Sequence, residues 1–222
     1  MQIRIVGDIH NKYECYFNII KDCEYSIQIG DMGFDYRSLY EVHSLKHVFF
    51  GGNHDNYDKY DEADHSMGDY GHIFDKSIFF VRGAWSIDGK SRQQRMKNDF
   101  TCPKIWWEQE ELSLEVLDKA VEEYAKVKPR IMLTHEAPFS ILPFMNLRLS
   151  FAQSFGYDTN HIPTKTNLAL ERMLQIHKPE IWCHGHFHTD FNRVIDGIHF
   201  MCLTADYINY PNLKQRFFDI EV

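Results

Sequence analysis

Lys46-His47-Val48-Phe49-Phe50-Gly51-Gly52-Asn53-His54-Asp55 is a short apolar run broken by two glycines and followed at once by three polar side chains. Aromatic and β-branched residues that stop at glycine read as a strand. The same grammar stands twice upstream. Tyr25 to Ile29 stops at Gly30-Asp31, and Gln2-Ile3-Arg4-Ile5-Val6 stops at Gly7-Asp8-Ile9-His10. Between these runs Tyr13, Tyr16, Phe17 and Ile20 recur at helical spacing, and a short amphipathic stretch holds Leu39 and Tyr40. The order is βαβαβ, which builds a parallel or mixed sheet with helices packed on it. Open α/β sheets carry their sites outside the carboxyl ends of the strands, where the polar residues fall here.

Further along, Ile73-Phe74, Ile78 to Val81 and Ala84 to Ile87 read as short strands, with Asp88-Gly89 as a tight turn. Leu117, Ala120, Val121, Tyr124 and Val127 form the stripe of a long helix from near Ser113 to before Pro129. A strand follows at 131–133. Residues 138–163 show no clear period and hold three prolines, so a long surface excursion on the substrate side is expected there. Leu170, Met173, Leu174 and His177 mark a helix capped near Thr164 or Thr166 and stopped at Pro179. Strands are expected at 181–184, 191–195, 198–203 and roughly 215–221, with Asp196-Gly197 as a hairpin turn.

The 222 residues are 44% hydrophobic and 15% aromatic, enough for a sizeable core, and no composition break divides residues 1–222 into two domains. With 24 basic against 32 acidic residues the net charge is −8, which disfavours a long nucleic acid as partner but not a small anion held by a cation. No apolar run reaches 18 residues, and Met1 leads straight into a strand without room for a signal peptide; no membrane partner and a cytoplasmic setting are expected. Five widely spaced cysteines without a CxxC suit free, mostly buried thiols.

Thirteen histidines pose the functional question. Asp8 and His10, Asp31, Asn53, His135 in Thr134-His135-Glu136, and His186 and His188 in Gly185-His186-Phe187-His188 all follow strand runs. Donors at five strand ends converge only if those strands lie side by side in a sheet. Imidazole, carboxylate and amide oxygen without thiolate suit Mn²⁺, Fe or Zn²⁺. Close-set Cys and His, the mark of a structural zinc site, are lacking.

This order resembles the calcineurin-like metallophosphoesterases, whose pattern runs DxH, GDxx, GNH(D/E), a lone His and GHxH. The resemblance spans residues 7–188. It implies an α/β fold of two mixed β-sheets sandwiched between helices (αββα), with two divalent ions at the strand ends, Mn²⁺ first and Fe, Zn²⁺, Ni²⁺ or Mg²⁺ as alternatives. It also implies one ion held by Asp8, His10, Asp31 and His188, and another by Asp31, Asn53, His135 and His186. The chemistry suits those residue types. A carboxylate such as Asp31 can bridge cations about 3.5–4 Å apart, and water caught between them deprotonates near neutral pH to become the nucleophile. His54, beside ligand Asn53, is the candidate general acid. Asp55 either orients and charges that ring or caps a helix.

Protein serine/threonine phosphatases of the superfamily carry GDxVDRG and RGNHE, whereas here the segments read Gly30-Asp31-Met32-Gly33-Phe34-Asp35 and Gly51-Gly52-Asn53-His54-Asp55. Both motif arginines are missing. The expectation is therefore a phosphodiesterase acting on a small, nucleotide-derived substrate. A phosphomonoesterase, protein phosphatases included, is the alternative, and a non-catalytic scaffold is the rival from another class. Arg148 is either a substitute phosphate clamp or a surface arginine. Phe151, Phe155 and Tyr157 stack on a base or pack under their loop. Trp106-Trp107 reads as packing, Asp206 and Tyr207 as a border of the site, and His184 as support for its neighbours. His43, His47, His65, His72, His161, His177 and His199 are given no role.

Overall fold

In strand β1 (Gln2–Val6), Ile3 and Ile5 face one side and Val6 the other, the alternation of a strand covered on both faces. A computed structural model describes residues 1–222 and pairs β1 in parallel with β2 (Ser26–Ile29), which pairs in parallel with β3 (His47–Phe50). Strand β10 (Phe217–Glu221) closes the other side of β1 antiparallel. A second sheet runs in the order β4 (Tyr70–Ile73), β5 (Ile78–Val81), β6 (Ile131–Thr134), β7 (Ile181–His184), β9 (Ile198–Cys202) and β8 (Phe191–Ile195). Its β5-β6-β7-β9 centre is parallel and its two edges are antiparallel. Asp196 and Gly197 both have positive φ, 51° and 84°, as the two-residue turn between β8 and β9 requires.

The sheets pack face to face. Ile3, Ile5, Ile27, Ile29 and Phe50 meet Ile78, Phe80, Ile131, Leu133 and Met201 in one core, with the Phe50 and Phe80 rings 5.6 Å apart and nearly parallel. Helices cover the outer faces. Helix α1 (Tyr13–Ile20) lays Tyr16, Ile19 and Ile20 on Val6 and Phe49. On the other side α3 (Leu114–Val127) and α5 (Lys165–Ile176) lay Leu117, Val121, Tyr124, Leu170 and Met173 on Phe79, Met132, Trp182 and Phe200. The architecture is α/β, two mixed sheets between helices, as the motif order implied. No helix is long and apolar enough to cross a membrane.

Three stretches depart from the sequence reading. Ala84 to Ile87 is not a strand, and the tight turn, at Ile87-Asp88, leads into helix α2 (Gly89–Asn98) rather than joining two strands. That helix buries only Gly89 and Arg92, so it has no apolar stripe to announce it. The strand expected at Ile73-Phe74 lies earlier, at Tyr70–Ile73, because Phe74, Asp75 and Lys76 turn with positive φ. Residues 138–163, read as a period-free surface excursion, are ordered in part. They hold a 3₁₀ turn at Phe139–Phe144 and helix α4 (Leu149–Ser154), and Ile141, Leu142, Met145 and Ala152 are buried against α3 and α5.

Candidate metal centre and substrate cavity

Strands β1, β2 and β3 of one sheet and β6 and β7 of the other end at the same place, so the donors converge from two sheets rather than from neighbours in one. Backbone hydrogen bonds stitch the sheets here. Gly83 N–H donates to the Gly51 carbonyl at 2.8 Å, and Ala205 and Asp206 N–H donate to the Asp8 carbonyl at 3.0 and 2.8 Å. The crowding also explains two motif glycines. A Cβ on Gly185 would collide with Asp8 Oδ1, and one on Gly52 would collide with Asp31 and lie 2.6 Å from His135 Nε2.

Seven donors form two groups. In the first, His188 Nε2 lies 2.7 Å from Asp8 Oδ2 and 3.0 Å from His10 Nε2, and His10 Nε2 lies 3.8 Å from Asp31 Oδ2. Asp8, His10, Asp31 and His188 offer ligand atoms that all lie within 4.8 Å of one another. In the second, Asn53 Oδ1 lies 3.1 Å from His135 Nε2 and 2.8 Å from His186 Nδ1, and His135 Nε2 lies 3.2 Å from Asp31 Oδ1. Asp31 thus turns one carboxylate oxygen to each group. Two carboxylates, four imidazoles and an amide oxygen fit hard or borderline divalent ions.

Local electrostatics suit cations. Burial opposes ionisation of Asp31, yet His135 and His54 hold its carboxyl well below the usual carboxylate range. Burial likewise opposes ionisation of Asp8, but the contact with His188 carries it below its ordinary value. Burial pushes His186 down to about 3, so that ring is a neutral ligand in waiting. His135 is drawn up to about 10 despite burial, chiefly by Asp31. Its Nδ1 donates to the Ile29 carbonyl at 2.9 Å, so Nε2, which faces the centre, is the nitrogen that would give up its proton to a cation.

His54 and Asp55 part company. His54 lies beside the first group, its ring 5.5 Å from that of His10, and burial pushes it down to about 4. Asp55 neither orients that ring nor caps a helix. Its carboxylate accepts the N–H groups of Asp31, Gly33 and Gly52 at 2.9, 2.9 and 2.7 Å and the Tyr36 hydroxyl at 3.2 Å. The residue clamps the turns that carry Asp31 and Asn53, a task that spacing could not distinguish from contact with its neighbour.

The donors open into a cavity of about 1040 Å³. Arg148, Phe151 and Phe155 line it, and Arg148 is its one Arg or Lys side chain. Tyr157 stands behind Trp85, their rings 5.5 Å apart and edge-on. Trp85, Glu136 and Tyr210 also line the cavity and were given no role in the sequence, where Trp85 and Tyr210 follow runs with no donor pattern and Glu136 stands in the shadow of its neighbour His135. Tyr210 lies on His188 with ring centroids 4.2 Å apart. Asp206 is buried and holds Asn209 rather than facing the cavity, and Tyr207 lies beneath Arg216. Trp107 is packed at 2% exposure, and His184 is buried between Phe187 and Phe191. None of the seven histidines left without a role reaches the cavity.

The model of the calcineurin-like phosphoesterases matches residues 1–190. The chain belongs to this family. It is thereby a phosphoesterase by kinship, and the family normally binds divalent metal ions. No curated protein matches the sequence. Among solved structures it is similar to the phosphopantetheinyl hydrolase of Mycobacterium tuberculosis, at 11% identity and TM-score 0.49, over 99% of this chain and 95% of that one. It is also similar to a predicted phosphoesterase of Streptococcus pneumoniae, at 13% identity and TM-score 0.39, over 90% and 70%. A Thermotoga maritima protein shares 13% identity at TM-score 0.35, over 90% and 82%.

Proposed function

We propose that the protein hydrolyses a small phosphodiester of nucleotide type with two divalent ions, Mn²⁺ foremost. One observation carries the reading: the two oxygens of Asp31 face two separate donor groups on the floor of the cavity. Asp8, His10, Asp31 and His188 would hold one ion, and Asp31, Asn53, His135 and His186 the other. Ions so held supply Lewis acidity toward phosphate oxygens and a water of lowered pKa.

The remaining work falls to the chain's own side chains. As the water oxygen bonds to phosphorus and the bond to the leaving oxygen breaks, His54 donates a proton to that oxygen. The anionic phosphate draws the proton onto a ring that burial otherwise keeps neutral. Arg148, the one Arg or Lys side chain on the cavity wall, offers a phosphate oxygen a further cationic partner. Trp85, Phe151 and Phe155 offer ring faces for a base. All five cysteines are free thiols, which suits a reducing compartment such as the cytoplasm.

Hydrolysis of bis-p-nitrophenyl phosphate and p-nitrophenyl phosphate with Mn²⁺, against His54→Ala, tests the reading. The diester should be preferred, and the variant should lose about 10²–10⁴-fold while keeping its metal. Preference for the monoester would overturn the diester assignment. Metal lost from the variant would overturn the role of His54.

A further inference from the structure

Asn53 is an unsymmetrical donor, because its carbonyl end suits a cation and its NH₂ end does not. Oδ1 faces His186 and His135 at 2.8 and 3.1 Å. Nδ2 points the opposite way and donates to Ser86 Oγ at 3.0 Å. Ser86 donates in turn to Glu110 Oε2 at 2.6 Å and accepts from the Arg92 guanidinium. Arg92 grips the two Glu110 oxygens at 2.9 and 2.8 Å, and donates also to the main-chain carbonyl of Asn53 at 3.3 Å and to Asp88 at 3.0 Å. Ser86, Arg92 and Glu110 are 6, 8 and 2% exposed, so water does not complete this network from outside.

Its polarity runs one way. A guanidinium only donates, so the single Ser86 proton is directed to Glu110. Burial pushes the Glu110 carboxyl up to about 7 against the pull of Arg92. Its oxygens nonetheless meet donors throughout, namely Arg92, Ser86 and the main-chain N–H of Trp107 at 3.1 Å, an arrangement that fits the anion. Toward Asn53 the Ser86 oxygen can then only accept. It takes the NH₂ end and leaves Oδ1 to the histidines.

We propose that Ser86, Arg92 and Glu110 are positioning residues that lock the Asn53 amide with its oxygen toward His135 and His186, and so set the cation affinity of that group. The inference rests on the two-ion reading above. Without the lock the amide can turn its NH₂ toward the cation, which a cation repels.

Calorimetric titration of the metal-free protein with Mn²⁺ alone tests it. The unsubstituted protein should bind two ions, and Ser86→Ala should weaken one site by about 10–100-fold and leave the other unchanged. Ser86→Thr, which keeps the hydroxyl, should restore it. Asn53→Asp removes the asymmetry, since both ends are then oxygens. In that background Ser86→Ala should be neutral or favourable, which a general packing defect would not produce. Two ions bound equally well with and without the Ser86 hydroxyl would overturn the lock and leave the two-ion reading standing. The same loss in the Asn53→Asp background would also overturn it. Fewer than two ions on the unsubstituted protein would overturn both.

Discussion

Four of the seven donors sit in the left-handed backbone region: His10, Asp31, His186 and His188 have φ of 49°, 58°, 69° and 46°. For a residue with a Cβ that conformation costs about 1–2 kcal/mol. It persists where the surroundings over-determine it, as at strand ends that must turn sharply and aim side chains back at one point. Substitution at position 10 should expose the cost. In metal-free protein, His10→Gly should be about 1 kcal/mol more stable than His10→Ala, since both remove the ring and only glycine accepts φ of 49° without strain. Urea unfolding of the two variants measures this, and equal midpoints would refute the strain. The residues at these corners are legible in the sequence, but their dihedrals are not, because His and Asp adopt them only under tertiary constraint.

At the scale of elements, the start of α5 ties two parts of the cavity wall together. Thr164 Oγ1 accepts the Asn167 N–H at 3.0 Å and donates to Glu136 Oε2 at 2.9 Å, while Asn167 Oδ1 accepts the Thr164 N–H at 3.0 Å. Thr164→Ala removes the cap and leaves a buried Glu136 oxygen short of a partner. A loss of about 1–2 kcal/mol is expected, with most of it recovered by Thr164→Ser; thermal unfolding reads both. This helix was legible from its spacing and its threonine. Helix α2 was not, since Gly89 and Arg92 are its only buried residues and a buried arginine mimics a solvated face in sequence. The segment at 139–154 escaped for a related reason. Its apolar residues serve turns of one or two periods, too short for any period to emerge.

Over the whole molecule, the proposed ions would lie where two sheets meet and would tie strand ends from both. Cations that bind the folded state alone should therefore stabilise all of it. Each site held at 100 times its Kd contributes about 2.7 kcal/mol. The thermal midpoint should rise when Mn²⁺ replaces a chelator, and Asp31→Asn, which removes a charge facing both groups, should abolish most of that rise. An unchanged midpoint in the unsubstituted protein would count against the centre.

The chain order alone established which residue types stand at the ends of five strands, because strand runs, glycine stops and polar successors are local signals that survive without a fold. It also carried the helices with an apolar stripe and the Asp196-Gly197 turn. What folding added is long-range. Backbone bonds between Gly51 and Gly83, and between Asp8 and residues 205–206, bring the ends of two sheets together across gaps that no local pattern encodes. The same closure carries Ser86, Arg92 and Glu110 behind Asn53 and Tyr210 onto His188. It also separates Asp55 from its sequence neighbour His54, because a carboxylate that can satisfy three buried N–H groups is held by them rather than by the ring beside it.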